Sequence, residues 1–361
     1  MLVYIANFFS IYVYNWIIKN KGIFVGLVSL QLFLILALRA NDLGPDLIAY
    51  QEMYYYIGSL SWDNMWSRLH LISTADLAIG MGIESGYVIF NWIVCYLGFS
   101  YHGFLVISAL LTIVPVGIFI YRYSLNPALS FLIYISTNLY FYNFGILRQS
   151  LAVGILICAV PFLLKKRLIP SVCFILLAFT FHRVAVLWIP LSLVIYYPLN
   201  GKMFSLLCVT ALGILGVFAV SGTSFLSPLL TLLGKSHYMT NEFAANNMII
   251  LLFLLAGFLC VLCDISNLTK NLLYNLLIWG LLVCLYFDAI CTFTPLARAL
   301  PLVLIFIPIL LPNMLYHFRY RISQRESYLL RFIITNGLIG FLFIYMILQL
   351  RGSIISPYRF Y

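Results

Sequence analysis

Residues 103–121 read G-F-L-V-I-S-A-L-L-T-I-V-P-V-G-I-F-I-Y, a run without one charged side chain, closed by Arg122. A helix that crosses a bilayer needs about 20 mainly apolar residues, and this stretch supplies them. Working outward, comparable runs lie near 2–18, 22–38, 83–99, 127–146, 149–164, 168–182, 184–199, 203–220, 247–263, 272–293, 296–316 and 332–350. They predict an all-α fold, a polytopic bundle of about 12 to 14 transmembrane helices. It would form one integral membrane domain over 1–361, with longer outer connections near 39–82 and 221–246. The composition agrees, with 64% hydrophobic and only 8% charged residues, where a soluble domain carries about 25% charged. So few charges cannot cover a chain of this length with polar surface, so lipid must be its solvent. The first apolar run reads as a retained helix rather than a cleaved signal.

The net charge of +10 would suggest nucleic acid in a soluble chain. Here the basic residues sit between apolar runs, which is how orientation is set in a membrane, and no nucleic-acid partner is expected. Placing Lys165, Lys166 and Arg167 inside puts Lys202, Lys270 and the Arg319–Arg325 segment inside on counting forward, and Arg122 inside on counting back. The same count places 221–246 and the segment from Arg351 outside. Lys19 and Lys21 start 39–82 outside, and residues 39–84 carry Arg39 and Arg68 against Asp42, Asp46, Glu52, Asp63, Asp76 and Glu84, a net charge of −4. Arg122 inside then requires one crossing more or fewer. Either 83–99 is re-entrant, the preferred reading, which holds Glu84 at the outer face, or a weak helix lies near 69–82. The eight Cys fall almost entirely inside apolar runs, Cys260 and Cys263 included, and read as small hydrophobes.

This topology gathers polar residues at one membrane face. Arg39 ends the second helix, Arg148 opens a helix from outside, His182 and Arg183 end the next, and Arg298 lies about one turn into a helix that starts outside. A basic residue at a helix end can snorkel to the headgroups at little cost. Arg298 is different, because apolar neighbours flank it and a central Arg costs roughly 2.5–3.5 kcal/mol on insertion scales. Several arginines facing outward suit a phosphate-bearing lipid, since Arg binds phosphate bidentately and keeps its charge. Asp46, Glu84 and His182 are the candidates to orient or deprotonate a hydroxyl. Tyr50, Tyr54, Tyr55, Tyr56, Trp62 and Trp66 offer aromatic faces for sugar rings, although Tyr and Trp also favour the interface. The chain contains no G-x-x-x-x-G-K-[ST], H-E-x-x-H or D-x-D motif. A nucleotide-driven reaction is therefore not expected, nor a metal or cofactor.

At these residues the chain resembles the Wzy-type polysaccharide polymerases, in particular the EpsG-like family. Arg39 with Gly44, Asp46 and Tyr50 is similar to that family's R…G-x-D…Y segment. Glu84-Ser85-Gly86-Tyr87 is similar to its E-x-G-Y, Arg148-Gln149 to its R-Q, and Phe181-His182-Arg183-Val184-Ala185 to its F-H-x-[ST]-A. Arg298 and Pro357-Tyr358 fit its late Arg and closing P-Y. Leu47 and Val184 depart from the common aromatic and small hydroxyl residues.

The resemblance implies a metal-independent glycosyltransferase of GT-C-like fold in the bacterial inner membrane, an O-antigen or exopolysaccharide polymerase. Its donor and acceptor would be oligosaccharide repeat units on undecaprenyl diphosphate, with a chain-length regulator protein as a further partner. Arg148 and Arg298, assisted by Arg39, would hold the donor diphosphate; His182, Asp46 or Glu84 would serve the acceptor hydroxyl. Two rivals are a flippase for the same lipids, which calls for mid-bilayer polar residues and repeat symmetry, and a sugar acyltransferase, whose early His would have to be His70.

Overall fold

The computed structural model describes residues 1–66, 83–221, 265–290, 300–317 and 324–361, with 255 and 257 singly. Arg298, His70, the weak helix near 69–82, the connection at 221–246 and the Cys260–Cys263 pair lie outside the described residues. The protein is an all-α helical membrane protein. The described residues contain no strand, only an isolated antiparallel bridge between Arg39 and Phe360.

Among the described residues, three helices are long and apolar enough to cross a bilayer: Tyr101–Tyr123, Leu147–Leu164 and, within a longer helix, Tyr328–Leu350. They correspond to the expected runs at 103–121, 149–164 and 332–350. On Tyr101–Tyr123, Leu110, Leu111, Val114 and Ile118 are exposed while Leu105, Ala109, Ile113 and Val116 are buried. Both sides of this helix are apolar, so its outer side requires lipid rather than water.

The chain forms two compact units, interleaved in sequence. The first comprises 1–123, 134–186 and 342–361, the second 124–133 and 187–341. In the first, helices α1 (Leu2–Ile17) and α2 (Lys21–Ala37) lead to α3 (Leu47–Gly58), α4 (Ser85–Tyr96) and α5 (Tyr101–Tyr123). Helix α6 (Pro127–Ser136), whose residues 127–133 are counted with the second unit, precedes a 3-10 turn at Phe141–Phe144, and α7 (Leu147–Leu164) and α8 (Leu168–Phe181) form a hairpin. Helix α5 packs on α2 and α7, α3 on α4, and α4 on α8. A core of Leu47, Tyr54, Tyr87, Tyr101, Phe104 and Leu151 lies between them.

Three expected runs take other forms. The connection at 39–82 contains α3, a helix by backbone although its sequence is too polar for a lipid-facing span. The run at 83–99 becomes α4, whose twelve residues rise about 18 Å, short of the roughly 30 Å hydrocarbon core. The run at 127–146 stops at Ser136, because Asn138 takes a left-handed φ of +63° that no α-helix continues through.

The second unit contains α9 (Trp188–Val194), α10 (Gly201–Ser221), α11 (Leu272–Ile290) and α12 (Ile307–His317). Helix α11 packs on α10 and α12. The expected helix at 184–199 is a 3-10 turn, Arg183–Leu187, followed by the short α9. Carbonyls left open where α9 ends must find donors away from water. Asn275 supplies them: its Nδ2 donates to Ile195 O at 2.6 Å and Tyr197 O at 2.9 Å. Helix α13 (Gln324–Leu350) ends within the first unit.

Candidate active site

Four segments of the first unit meet around the Glu84–Arg148 pair. The Glu84 backbone is extended, with φ −67° and ψ 138°, and Glu84 is the residue from which α4 starts. Arg148, in the first turn of α7, donates from Nη1 to Glu84 Oε2 at 2.7 Å. Arg148 Nε donates to the Tyr50 hydroxyl at 3.3 Å. At the end of α8 the backbone N–H of Arg183 points to Glu84 Oε1 at 3.4 Å, and His182 Nδ1 lies 3.5 Å from the same oxygen. The side chains of Glu84, His182 and Arg148 are 9%, 12% and 14% exposed. Among the described residues neither ring nitrogen of His182 has a hydrogen-bond partner within normal distance.

The local sequence explains this convergence. A Cβ on Gly86 would come within 2.1 Å of Thr180 Oγ1 and 2.9 Å of the Thr180 carbonyl oxygen. Only glycine lets the start of α4 lie that close to the end of α8, and this approach sets Glu84 beside His182. His182 then leaves the helix with φ −156° and ψ 115°, which turns its ring out of the α8 stack. Tyr50 reaches Arg148 from α3. That helix begins after Gly44, Pro45 and Asp46, where a Cβ on Gly44 would lie 2.0 Å from the Phe144 carbonyl oxygen and Asp46 takes a left-handed φ of +63°.

Burial alone would raise the Glu84 carboxyl. The nearby His182 imidazole and the charge of Arg148 outweigh it and hold the group down to about 2. Glu84 is therefore a carboxylate that locks Arg148 and faces His182 Nδ1. An acid at a helix start also meets the positive end of the helix dipole.

The other expected residues fall as follows. Asp46 is exposed, and its carbonyl accepts from the N–H of Tyr50, one turn along α3. Arg39 makes none of the Glu84 contacts. It is 1% exposed, donates from Nη1 to Leu36 O at 2.6 Å and lies over the Phe144 ring at 5.3 Å. The segment at 359–361 closes over it through Ala40 N–H to Arg359 O, Tyr361 N–H to Leu38 O and an Arg359–Asp42 ion pair at 2.9 Å. Arg298 lies outside the described residues. The sequence placed Tyr50 among six aromatic faces and in the R…G-x-D…Y segment, but did not show it as an Arg148 partner. Its four-residue spacing from Asp46 was the available signal, since it places both at one helix end.

Together these features define a class, an all-α membrane protein with a buried Glu–Arg–His cluster built on short helix ends. The chain belongs to the EpsG family, whose profile matches residues 22–360, and this family implies a polysaccharide-polymerase-like membrane protein. No curated protein and no solved structure matches the chain.

Proposed function

We propose that the protein is a glycosyltransferase that polymerises oligosaccharide repeat units carried on a polyprenyl diphosphate, undecaprenyl diphosphate in a bacterium. The acceptor hydroxyl oxygen bonds to the anomeric carbon of the donor sugar, the bond from that carbon to the diphosphate breaks, and the lipid diphosphate departs with the electron pair. The observation that carries this reading is the meeting of Arg148 and His182 on the Glu84 carboxylate, with Tyr50 bonded to Arg148, from four separate segments.

Within that cluster Glu84 is too weak a base to serve the acceptor itself. It orients His182 through Nδ1, which leaves Nε2 to take the proton of the acceptor hydroxyl, and apo distances in such sites are commonly long. Arg148, with Arg298, stabilises charge on the leaving diphosphate. Asp46 lies near enough to Tyr50 to position the acceptor. Arg39 supports the loop that launches α3. No metal or cofactor takes part, and activity should survive a chelator; its loss, restored by one divalent ion, would refute that mechanism.

The helix hairpin supports an outward site in the inner membrane. Helix α7 has 18 residues, about 27 Å of rise, with Arg148 at one end and the exposed Lys165–Arg167 turn at the other. If that turn is cytoplasmic, Arg148 and His182 face outward, where nucleotide sugars are absent and a lipid-linked donor is the available one. A chain-length regulator protein is the expected partner.

The test is the product made by cells lacking the protein and complemented with Arg148→Ala or Arg298→Ala at equal protein levels. A polymerase leaves a single repeat unit on its acceptor. A flippase would leave none outside, an acyltransferase would leave full-length chains, and either result would overturn the proposal.

A further inference from the structure

Apart from the cluster, the first unit contains a cavity of about 200 Å³ that the Glu84 chemistry does not use. Its walls include Pro45, Asn138, Phe141, Tyr142, Ile146 and Gln349. Two of them adjoin the site along the chain: Pro45 precedes Asp46, and Ile146 stands two residues before Arg148. Resting on the polymerase reading, we propose that this cavity is a saccharide subsite, which holds one uncharged sugar ring of the lipid-linked substrate against the ends of α3 and α7.

The lining selects that ligand class. No residue that lines the cavity is ionisable near neutral pH, so a diphosphate would lose its hydration without gaining a counter-charge. A lipid tail would need no amides, yet Asn138 Nδ2 donates to Gln349 Oε1 at 2.8 Å on this wall. That bond leaves the Asn138 carbonyl oxygen as an acceptor and the Gln349 amide N–H groups as donors, the complement of a ring hydroxyl, which both donates and accepts. Ser353 adds a hydroxyl, and Phe141 and Tyr142 add aromatic surface. Drug-sized ligands occupy about 300–1,000 Å³, so this volume suits one ring and not a whole repeat unit. The subsite explains how a polymerase with few charges reads its own repeat: the charged cluster holds the reacting groups, and the amide pair reads a neighbouring sugar.

The test uses full-length protein in nanodiscs and, as probe, the free repeat-unit oligosaccharide released by mild acid from the host's own lipid-linked pool. Binding is read by saturation-transfer NMR, apart from any reaction. Wild-type protein and Arg148→Ala should both bind the probe. Gln349→Leu should bind at least tenfold more weakly and, with lipid-linked substrate, raise KM with little change in kcat. Ser353→Trp, which fills the cavity and leaves the amide pair in place, should act likewise and guards against misfolding of the first variant. Wild-type affinity in Ser353→Trp, or no binding by the wild type, would overturn the subsite. Probe binding that depends on Gln349 in a protein that does not polymerise would overturn the polymerase reading and leave the subsite standing.

Discussion

At Glu84 a single carboxylate holds together parts of the chain that lie 64 and 99 residues apart. Glu84→Gln keeps the shape and removes the charge, which leaves the largely buried Arg148 cation without its partner. Breaking one side of a buried pair costs about 3–5 kcal/mol, so the variant should unfold at a clearly lower temperature in detergent, and it should make no polymer. Arg148→Lys should fail as well, because a point charge cannot serve Tyr50 and Glu84 together; normal polymer from that variant would remove the guanidinium from the mechanism. The pH dependence follows from the carboxyl being held down to about 2. A depressed carboxyl contributes stability that is fully present above its unfolded value near 4.3 and is lost as pH falls through about 2. Unfolding followed from pH 7 down to 2 should show an acid-sensitive limb that Glu84→Gln abolishes. The sequence made the identities of Arg148, Glu84 and His182 legible through short motifs. It did not reveal that Glu84 pairs with Arg148, because separation along the chain carries no sign of contact.

Among the elements, the site depends on helix ends rather than on long spans. Helices α3, α4 and α8 each present a terminus to it, and Gly86 determines how closely two of them approach. Gly86→Ala should therefore abolish polymer while the protein is still made and inserted. The Thr180 hydroxyl can rotate away from a new Cβ, but the Thr180 carbonyl cannot. Equal polymer length from Gly86→Ala at equal protein level would show that the approach is not needed. The long spans were readable because apolar runs of membrane length have one interpretation in lipid. The polar α3 was not, since its tyrosines and Glu52 match an interfacial loop as well as a helix, and tertiary packing against α4 decided the matter. The break after Ser136 was hidden for a related reason: the residues from 127 to 146 are apolar enough for a span, and one left-handed asparagine ends it.

For the whole molecule, composition settled the solvent and positive charge settled an expected orientation. The division into two units was not legible, because contacts between distant segments define it. With native Cys removed, a Cys introduced at Ser224 should react with a membrane-impermeant thiol reagent from outside, and one at Ser323 should not. The reverse pattern in spheroplasts would place the Glu84 cluster on the cytoplasmic side. A chain ended at residue 354 loses every contact that 355–361 makes, including Tyr4 hydroxyl to Ile355 O at 2.9 Å and Tyr358 hydroxyl to Ile35 O at 2.8 Å. It should melt earlier and expose the 38–46 loop to protease, and unchanged protection there would refute the bracing role of that segment.

The closure of 359–361 over Arg39 also bears on biogenesis. The ribosome makes Arg39 early and its covering segment 359–361 only about 320 residues later, after all of 187–341. At about 5–20 residues per second that is an interval of roughly fifteen to sixty-five seconds. During it a nascent arginine, destined to be buried over the Phe144 ring, waits with its cover unfinished. The insertion machinery must shelter it or leave it hydrated, and the 38–46 loop can set only when translation has passed Phe360.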